Sequence, residues 1–194
     1  LAEIRPRVEA LDLPSGYRLE WGGEYETAGE AQSGLFASLP LGIVMMFILT
    51  VVLFNNFRQP LAIWSLVPLT IIGVVGALLV TGMPFSFMAL LGTLSLIGMV
   101  IKNAIVLVEE INVQLPLHQD RYHAVVRAAV SRVSPVAMAA LTTMLGMIPL
   151  ISDAFFASMA VALIGGLGVA TLLTLIVLPV VYCVLYQIRI HPDK

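Results

Sequence analysis

The sequence has 194 residues, 59% of them hydrophobic and 11% charged, with 10 basic and 12 acidic side chains and a formal net charge of −2. Soluble domains carry roughly a quarter charged residues, so this is the composition of an integral membrane chain, and nucleic acid is excluded as a partner. One cysteine, Cys183, rules out a disulfide framework within the chain and reads as a small packing residue in an apolar run.

Residues 1–38 hold seven acidic and three basic side chains. The first residue is Leu1, and this acidic stretch lacks the pattern of a signal peptide; the sequence is expected to be a segment of something longer. "YRLEW" (17–21) alternates Tyr17, Leu19 and Trp21 with Arg18 and Glu20, the period of a half-buried strand. Gly22 and Gly23 end it, and 24–38 predict a helical lead into the first apolar run. Five apolar stretches follow, at 39–57, 61–81, 86–110, 133–152 and 158–186, each near or above the roughly 20 residues that cross hydrocarbon as helix. The expected fold is an all-α membrane protein of five transmembrane helices with a short extracytoplasmic strand segment at its N-terminus.

The connections carry the orientation. Arg58 lies in the first, Arg121, Arg127 and Arg132 in the third (112–132), and Arg189 and Lys194 in the tail (187–194), whereas the second and fourth have no Lys or Arg. The positive-inside rule therefore puts the third connection and the C-terminus in the cytoplasm and residues 1–38 outside. "DRYHAVVRAAVSRV" (120–133) mixes Arg with Val and Ala in a way that suits a short helix on the inner membrane surface, a solvated connector being the other reading. Gly73, Gly76 and Ala77, and Gly165, Gly166, Gly168 and Ala170, are spaced to let helix backbones approach. Pro68 and Pro179 interrupt two spans, as packing features or as kinks.

"GMVIKNAIVLVEE" (98–110) sets Lys102 and Asn103 inside an apolar span. A charge there costs about 2.5–3.5 kcal/mol on insertion scales, so it normally faces a bundle interior and pairs. Lys102 lies eight residues from the end of the run, about 12 Å, so a lysine stretched to the interface is the competing reading; Asn103 has no stem long enough for that. Glu109 is about 10 Å along the same face, too far to pair, and Glu110 beside it is expected at the interface in a solvated role. The other four runs hold no Asp or Glu, and Asp153 falls at the outer end of the fourth, so the counter-ion is expected outside this chain. Thr142 and Thr143 lie in the fourth run, Thr142 roughly 13 Å deep and level with Lys102. Thr in membrane helices also bonds its own backbone, and that alternative stands beside the polar-patch reading.

With its basic connection and "SRVSPVAMAALTTMLGMIPL" (131–150), this stretch resembles the resistance-nodulation-division (RND) efflux transporters. "FNNFRQPLAIWSLVPLTIIGVVGALL" (54–79) is similar to the family's eighth and ninth helices and "GGLGVATLLTLIVLPVVYCVLY" (165–186) to its twelfth, with order and spacing agreeing from about residue 17 to the end. The resemblance implies helices eight to twelve of a twelve-helix subunit, residues 1–38 being the end of the second periplasmic domain. It further implies a proton-driven homotrimer in the bacterial inner membrane, working with a periplasmic adaptor and an outer-membrane channel, and no cofactor. Lys102 corresponds to the helix-ten lysine that pairs with two aspartates of helix four, and Arg132 to an arginine at the inner end of helix eleven. The proton relay is thus expected at Lys102, Asn103, Thr142, Thr143 and Arg132. There is one departure: the family's helix-eleven threonine aligns with Ala139, leaving Thr142, one turn outward, to supply the hydroxyl.

The leading expectation is export of hydrophobic or amphiphilic compounds. A heavy-metal exporter is the near alternative, although Met45, Met46, Met144 and Met147 are scattered among packing positions without facing pairs. A non-transporting scaffold or sterol-sensing-like module would not need a mid-span lysine. An enzyme is not expected: no catalytic cluster lies in the spans, no metal site is expected, and His118, His123 and His191 fall in connecting segments.

Overall fold

The computed structural model describes residues 24–118 and 120–188. The expected strand at 17–21 lies outside them. All long elements among the described residues are helices: α1 (Glu24–Phe54), α2 (Arg58–Trp64), α3 (Leu66–Thr81), α4 (Phe87–Gln114), α5 (Arg121–Met147) and α6 (Ala157–Leu185). Five stretches are long and apolar enough to cross a membrane, Ala31–Phe54, Arg58–Thr81, Phe87–Leu117, Arg121–Ser152 and Ala157–Leu185.

The chain divides into two units, residues 1–44 and 45–194. In the smaller, α1 is helical from Glu24 and its described side chains are mostly exposed; Ser38 donates to the carbonyl of Gly34 at 3.0 Å, a bond back into its own helix.

The larger unit is a bundle organised around α6, which packs against α3, α4 and α5. Its core is apolar, with Ile63, Leu66, Val74, Leu96, Val100, Leu107, Val108, Ile111, Leu178 and Tyr182 all buried. Small residues set the closest approach. A Cβ on Gly73 would stand 2.7 Å from the Cβ of Val169, one on Gly165 would collide with Ala77, and one on Gly166 with Leu96 and Val74. The backbones of α3 and α6 therefore meet through glycine, as the sequence spacing predicts at these three positions. Gly76 has open space around it, and a Cβ on Gly168 would meet only the Met144 sulfur at 3.8 Å.

Prolines punctuate the helices at specific bonds. Pro68 has no N–H for the carbonyl of Trp64, four residues back, and the second span breaks there, α2 ending at Trp64 and α3 starting at Leu66. The intervening Ser65 turns its hydroxyl onto the Ala62 carbonyl at 2.7 Å. Pro116 and Pro149 open the 3-10 turns Leu115–Leu117 and Ile148–Ser152 that follow α4 and α5. Pro179, in contrast, is carried within α6. Gly82, at φ 67°, closes α3 in the left-handed conformation that glycine adopts without cost.

Residues 121–132, read from sequence as a separate surface helix, are the first turns of α5 and run unbroken into the fourth span. The physical reason is a cap at one end and no break at the other. Asp120 accepts from the Tyr122 amide at 2.9 Å, and its φ/ψ lies in the extended region that starts a helix. Pro135, carried within α5, does not end it, because neighbouring groups in a bundle can meet a freed carbonyl.

The basic side chains Arg58, Arg121 and Arg132 gather at one end of the bundle, where side-chain bonds tie α2, α5 and α6 each to α4. At the opposite end the short connections meet through Ser86 and Ser158, whose hydroxyls share a hydrogen bond.

Candidate functional site

Helix α4 positions the mid-span lysine. Its N-terminus is capped by Ser86, which accepts from the Ala89 amide at 3.3 Å. Ala89, Gly92, Thr93, Leu96, Val100, Ala104, Leu107, Val108 and Ile111 recur at three- and four-residue steps and are buried against the bundle. The opposite stripe is Ser95, Gly98, Lys102, Glu109 and Val113, all exposed. These steps of three, four and seven residues form one helical face. Lys102 is thus turned away from the core that α4 shares with the other described helices.

Among the described residues no carboxylate lies within ion-pair distance of Lys102, and Asn103, half-buried beside it, makes no side-chain hydrogen bond. Thr142 donates to the Met138 carbonyl at 2.8 Å and Thr143 to the Ala139 carbonyl at 2.9 Å. Both hydroxyls are therefore occupied by their own helix backbone, the alternative held open by the sequence, and neither is bonded to Lys102 or Asn103. The structure brings none of these four side chains together.

Arg132 is placed differently. Its Nη2 lies 2.6 Å from Glu110 Oε2, joining α5 to α4, and Gln114 Nε2 donates to Glu110 Oε1 at 2.8 Å. Glu110 is 16% exposed and Arg132 34%, so the pair is half-buried and charge-assisted. Sequence reasoning assigned Glu110 a solvated role. Its partner is 22 residues away, across a segment read as a connector; the signal that was available is that residues 121–132 continue the period of the fourth span, which sets Arg132 on a helix beside the end of α4. Arg132 is separated from Lys102 by the eight-residue step from Lys102 to Glu110, about 12 Å of helix.

A second polar assembly at the basic end carried no sequence signal. Gln59 and Asn112 pair reciprocally through their amides at 2.9 and 3.2 Å, and the Tyr182 hydroxyl also donates to Asn112 Oδ1 at 3.2 Å. Tyr182 stacks on Tyr186 with ring centroids 4.5 Å apart, and Asn56 Nδ2 donates to the Tyr186 hydroxyl at 3.0 Å. The described residues contain no group of three or more His, Cys, Asp or Glu side chains placed to hold a metal ion.

Among the described residues the bundle turns Lys102, without a carboxylate partner, away from its own core, and a charge within a membrane span normally pairs. The comparisons give the family. The profile of the AcrB/AcrD/AcrF family matches residues 2–186, and the chain belongs to that family of RND transporters. It is 31% identical over 194 residues to the swarming motility protein SwrC of Bacillus subtilis, covering 97% of this chain and 18% of that protein. It is 33% identical over 187 residues to the cobalt-zinc-cadmium resistance protein CzcA of Cupriavidus metallidurans (91% and 18%). With the multidrug resistance protein MdtC of Erwinia amylovora it shares 32% over 197 residues (98% and 19%). A crystal structure of a heavy metal efflux pump superposes with a TM-score of 0.72 at 34% identity, over 96% of this chain and 19% of that one. The chain spans less than a fifth of the length of these relatives. The long elements among its described residues are helices, with five stretches long and apolar enough to cross a membrane, in a chain of the RND transporter family.

Proposed function

We propose that the complete protein is a proton-driven exporter of the bacterial inner membrane, and that these five helices are the eighth to twelfth of its subunit. The observation that carries this reading is Lys102, an ammonium on the exposed stripe of α4 without a counter-ion among the described residues. Carboxylates from helices outside this chain would pair with it when ionised and release it when protonated, so proton entry becomes a change in helix contacts. Residues 1–38 would end a periplasmic domain, and the basic end of the bundle would face the cytoplasm. The working unit is a homotrimer joined to a periplasmic adaptor and an outer-membrane channel.

For substrate, we propose hydrophobic or amphiphilic compounds. Six of the nine methionines support it: Met46, Met83, Met99, Met144, Met147 and Met159 pack against the apolar core, while Met45 and Met138 are exposed, and packing is the use expected of Met as filler rather than as a soft-metal relay. Export of divalent metal cations is the second reading, favoured by the likeness to CzcA and to a heavy metal efflux pump. Reconstitution of the full-length protein into vesicles with an imposed pH gradient tests both. Gradient-dependent movement of a cationic dye supports the first reading, movement of zinc or cobalt the second, and movement of either without a gradient overturns proton coupling.

A further inference from the structure

The Thr171 hydroxyl of α6 breaks a pattern. The other threonines whose side chains are described each donate to the carbonyl four residues back in their own helix, a bond that a helical hydroxyl always has at hand. Thr171 makes no such bond and has no other partner among the described residues, although it is only 9% exposed and its oxygen is shut off from solvent. A buried hydroxyl left unpaired opposes folding. Where one persists, it marks a strained or working position.

The packing around Thr171 says what it faces. Helices α4 and α6 run side by side in the same direction: a Cβ on Gly92 would meet Met159 and Leu163, and one on Gly166 would meet Leu96. Continued at the same rise, Asn103 of α4 comes level with residues 170–174 of α6. Asn103 is seven residues beyond Leu96, which reaches α6, and seven before Glu110, which reaches Arg132 on α5, so two full turns in either direction set it on the groove between α5 and α6. Thr171 lies on the matching face of α6, between the line of Leu163, which meets α4, and that of Gly168, whose Cβ would meet Met144 on α5. Asn103 is half-buried, and its amide is also without a hydrogen bond. Two unpaired polar side chains from adjacent helices thus share one groove, at the depth of Lys102.

We propose that Thr171 is a positioning residue for Lys102: when α4 shifts in the transport cycle, Asn103 Nδ2 donates to Thr171 Oγ1 across the groove, and this bond holds α4 in its shifted place. The inference rests on the proposed proton coupling and deepens it. Protonation of the carboxylates that pair with Lys102 lets α4 go, and a bond made only after that release favours the released arrangement. The hydroxyl's own proton then serves the Leu167 carbonyl, the bond its fellow threonines make. Thr171 touches neither the transported proton nor the substrate, and acts through the residue next to Lys102.

Efflux by the full-length protein in vesicles with an imposed pH gradient, at equal amounts of protein, tests this with whichever of the cationic dye or zinc the wild type moves. Thr171→Val keeps the shape and removes the hydroxyl: it is expected to lower gradient-driven efflux about tenfold, while the unfolding midpoint in detergent stays level or rises. Thr171→Ser, which keeps the hydroxyl, should stay within about twofold of the wild type. Asn103→Ser, too short to span the groove, should also cost about tenfold, and Thr171→Val added to it should lower efflux no further, because the two side chains act as one unit. Near-normal efflux by Thr171→Val, an equal loss in Thr171→Ser, or multiplied losses in the double variant would each overturn the proposal. Wild-type efflux that needs no gradient overturns the proton coupling beneath it, and is told apart because it shows without any variant.

Discussion

Arg132 and Glu110 join the fourth and fifth helices through a 2.6 Å contact at the basic end of the bundle. Glu110 is the more enclosed partner and also accepts from Gln114. Removing its charge leaves the guanidinium half-buried with one bond fewer, and Arg132 Nε is already buried without a partner. Glu110→Gln is expected to destabilise the full-length protein by about 1–2 kcal/mol, the size of a charged hydrogen bond discounted for the exposed side of the arginine. A double-mutant cycle with Arg132→Met, read by thermal unfolding in detergent, measures the coupling; additive losses would show that the two side chains act independently.

The amide pair gives a sharper test of polar satisfaction. Gln59 is 8% exposed and bonds Asn112 in both directions. Asn112→Leu strands the Gln59 amide and deprives the Tyr182 hydroxyl of its acceptor, at about 1–3 kcal/mol. Adding Gln59→Leu should recover much of that loss, since replacing both partners by apolar groups is nearly neutral. The unfolding midpoints of the single and double variants decide the matter.

Two glycines on facing helices should respond oppositely to one methyl group. Gly76 has open space, so Gly76→Ala gains helix propensity, about 0.5–1 kcal/mol. The Cβ of Gly165→Ala would collide with that of Ala77, which has no flexible end to move aside, and overpacking of this kind costs about 1–3 kcal/mol. Folded yield and melting temperature of the two variants are the measurements.

Orientation is testable by accessibility. A cysteine placed at Gly82 or Ala157, at the end where Ser86 meets Ser158, should react with a membrane-impermeant maleimide applied to intact spheroplasts. One at His118 should react only after permeabilisation. The reverse pattern would turn the bundle over.

The helices were legible because each apolar run is near or above the length that hydrocarbon demands, and the close approach of α3 and α6 because glycine spacing is a local pattern. Lys102 was legible for the same reason: a charge inside an apolar run needs no partner in view to be noticed. What stayed hidden is pairwise and distant. Gln59 and Asn112 are 53 residues apart, and nothing in either neighbourhood selects the other. Arg132 and Glu110 stayed apart on paper because Arg residues in 121–132 resemble a connector by composition, whereas Asp120 caps a helix that runs straight into the span. Thr142 and Thr143 show the converse limit: depth along a helix is readable from sequence, but whether a hydroxyl faces a neighbour or its own backbone is a matter of rotamer.

The exposed stripe of α4 makes Lys102 the residue on which the proposed coupling turns. If it holds carboxylates of a neighbouring helix when they are ionised and lets go when they are protonated, then a neutral side chain of similar length should pack there yet be blind to the proton. Lys102→Met is therefore expected to leave insertion and assembly of the full-length protein intact while reducing gradient-driven efflux by at least tenfold. It should even insert more readily, since a mid-span charge costs about 2.5–3.5 kcal/mol that Met does not. Lys102→Arg keeps the charge but offers a planar fork that grips a carboxylate at two points, so it should bind the ionised state too firmly and also transport poorly. Poor transport by both variants separates a release mechanism from a simple need for positive charge, which Arg would satisfy. Efflux is compared at equal membrane abundance, and near-normal transport by Lys102→Met would reduce this lysine to an anchor that reaches for the interface.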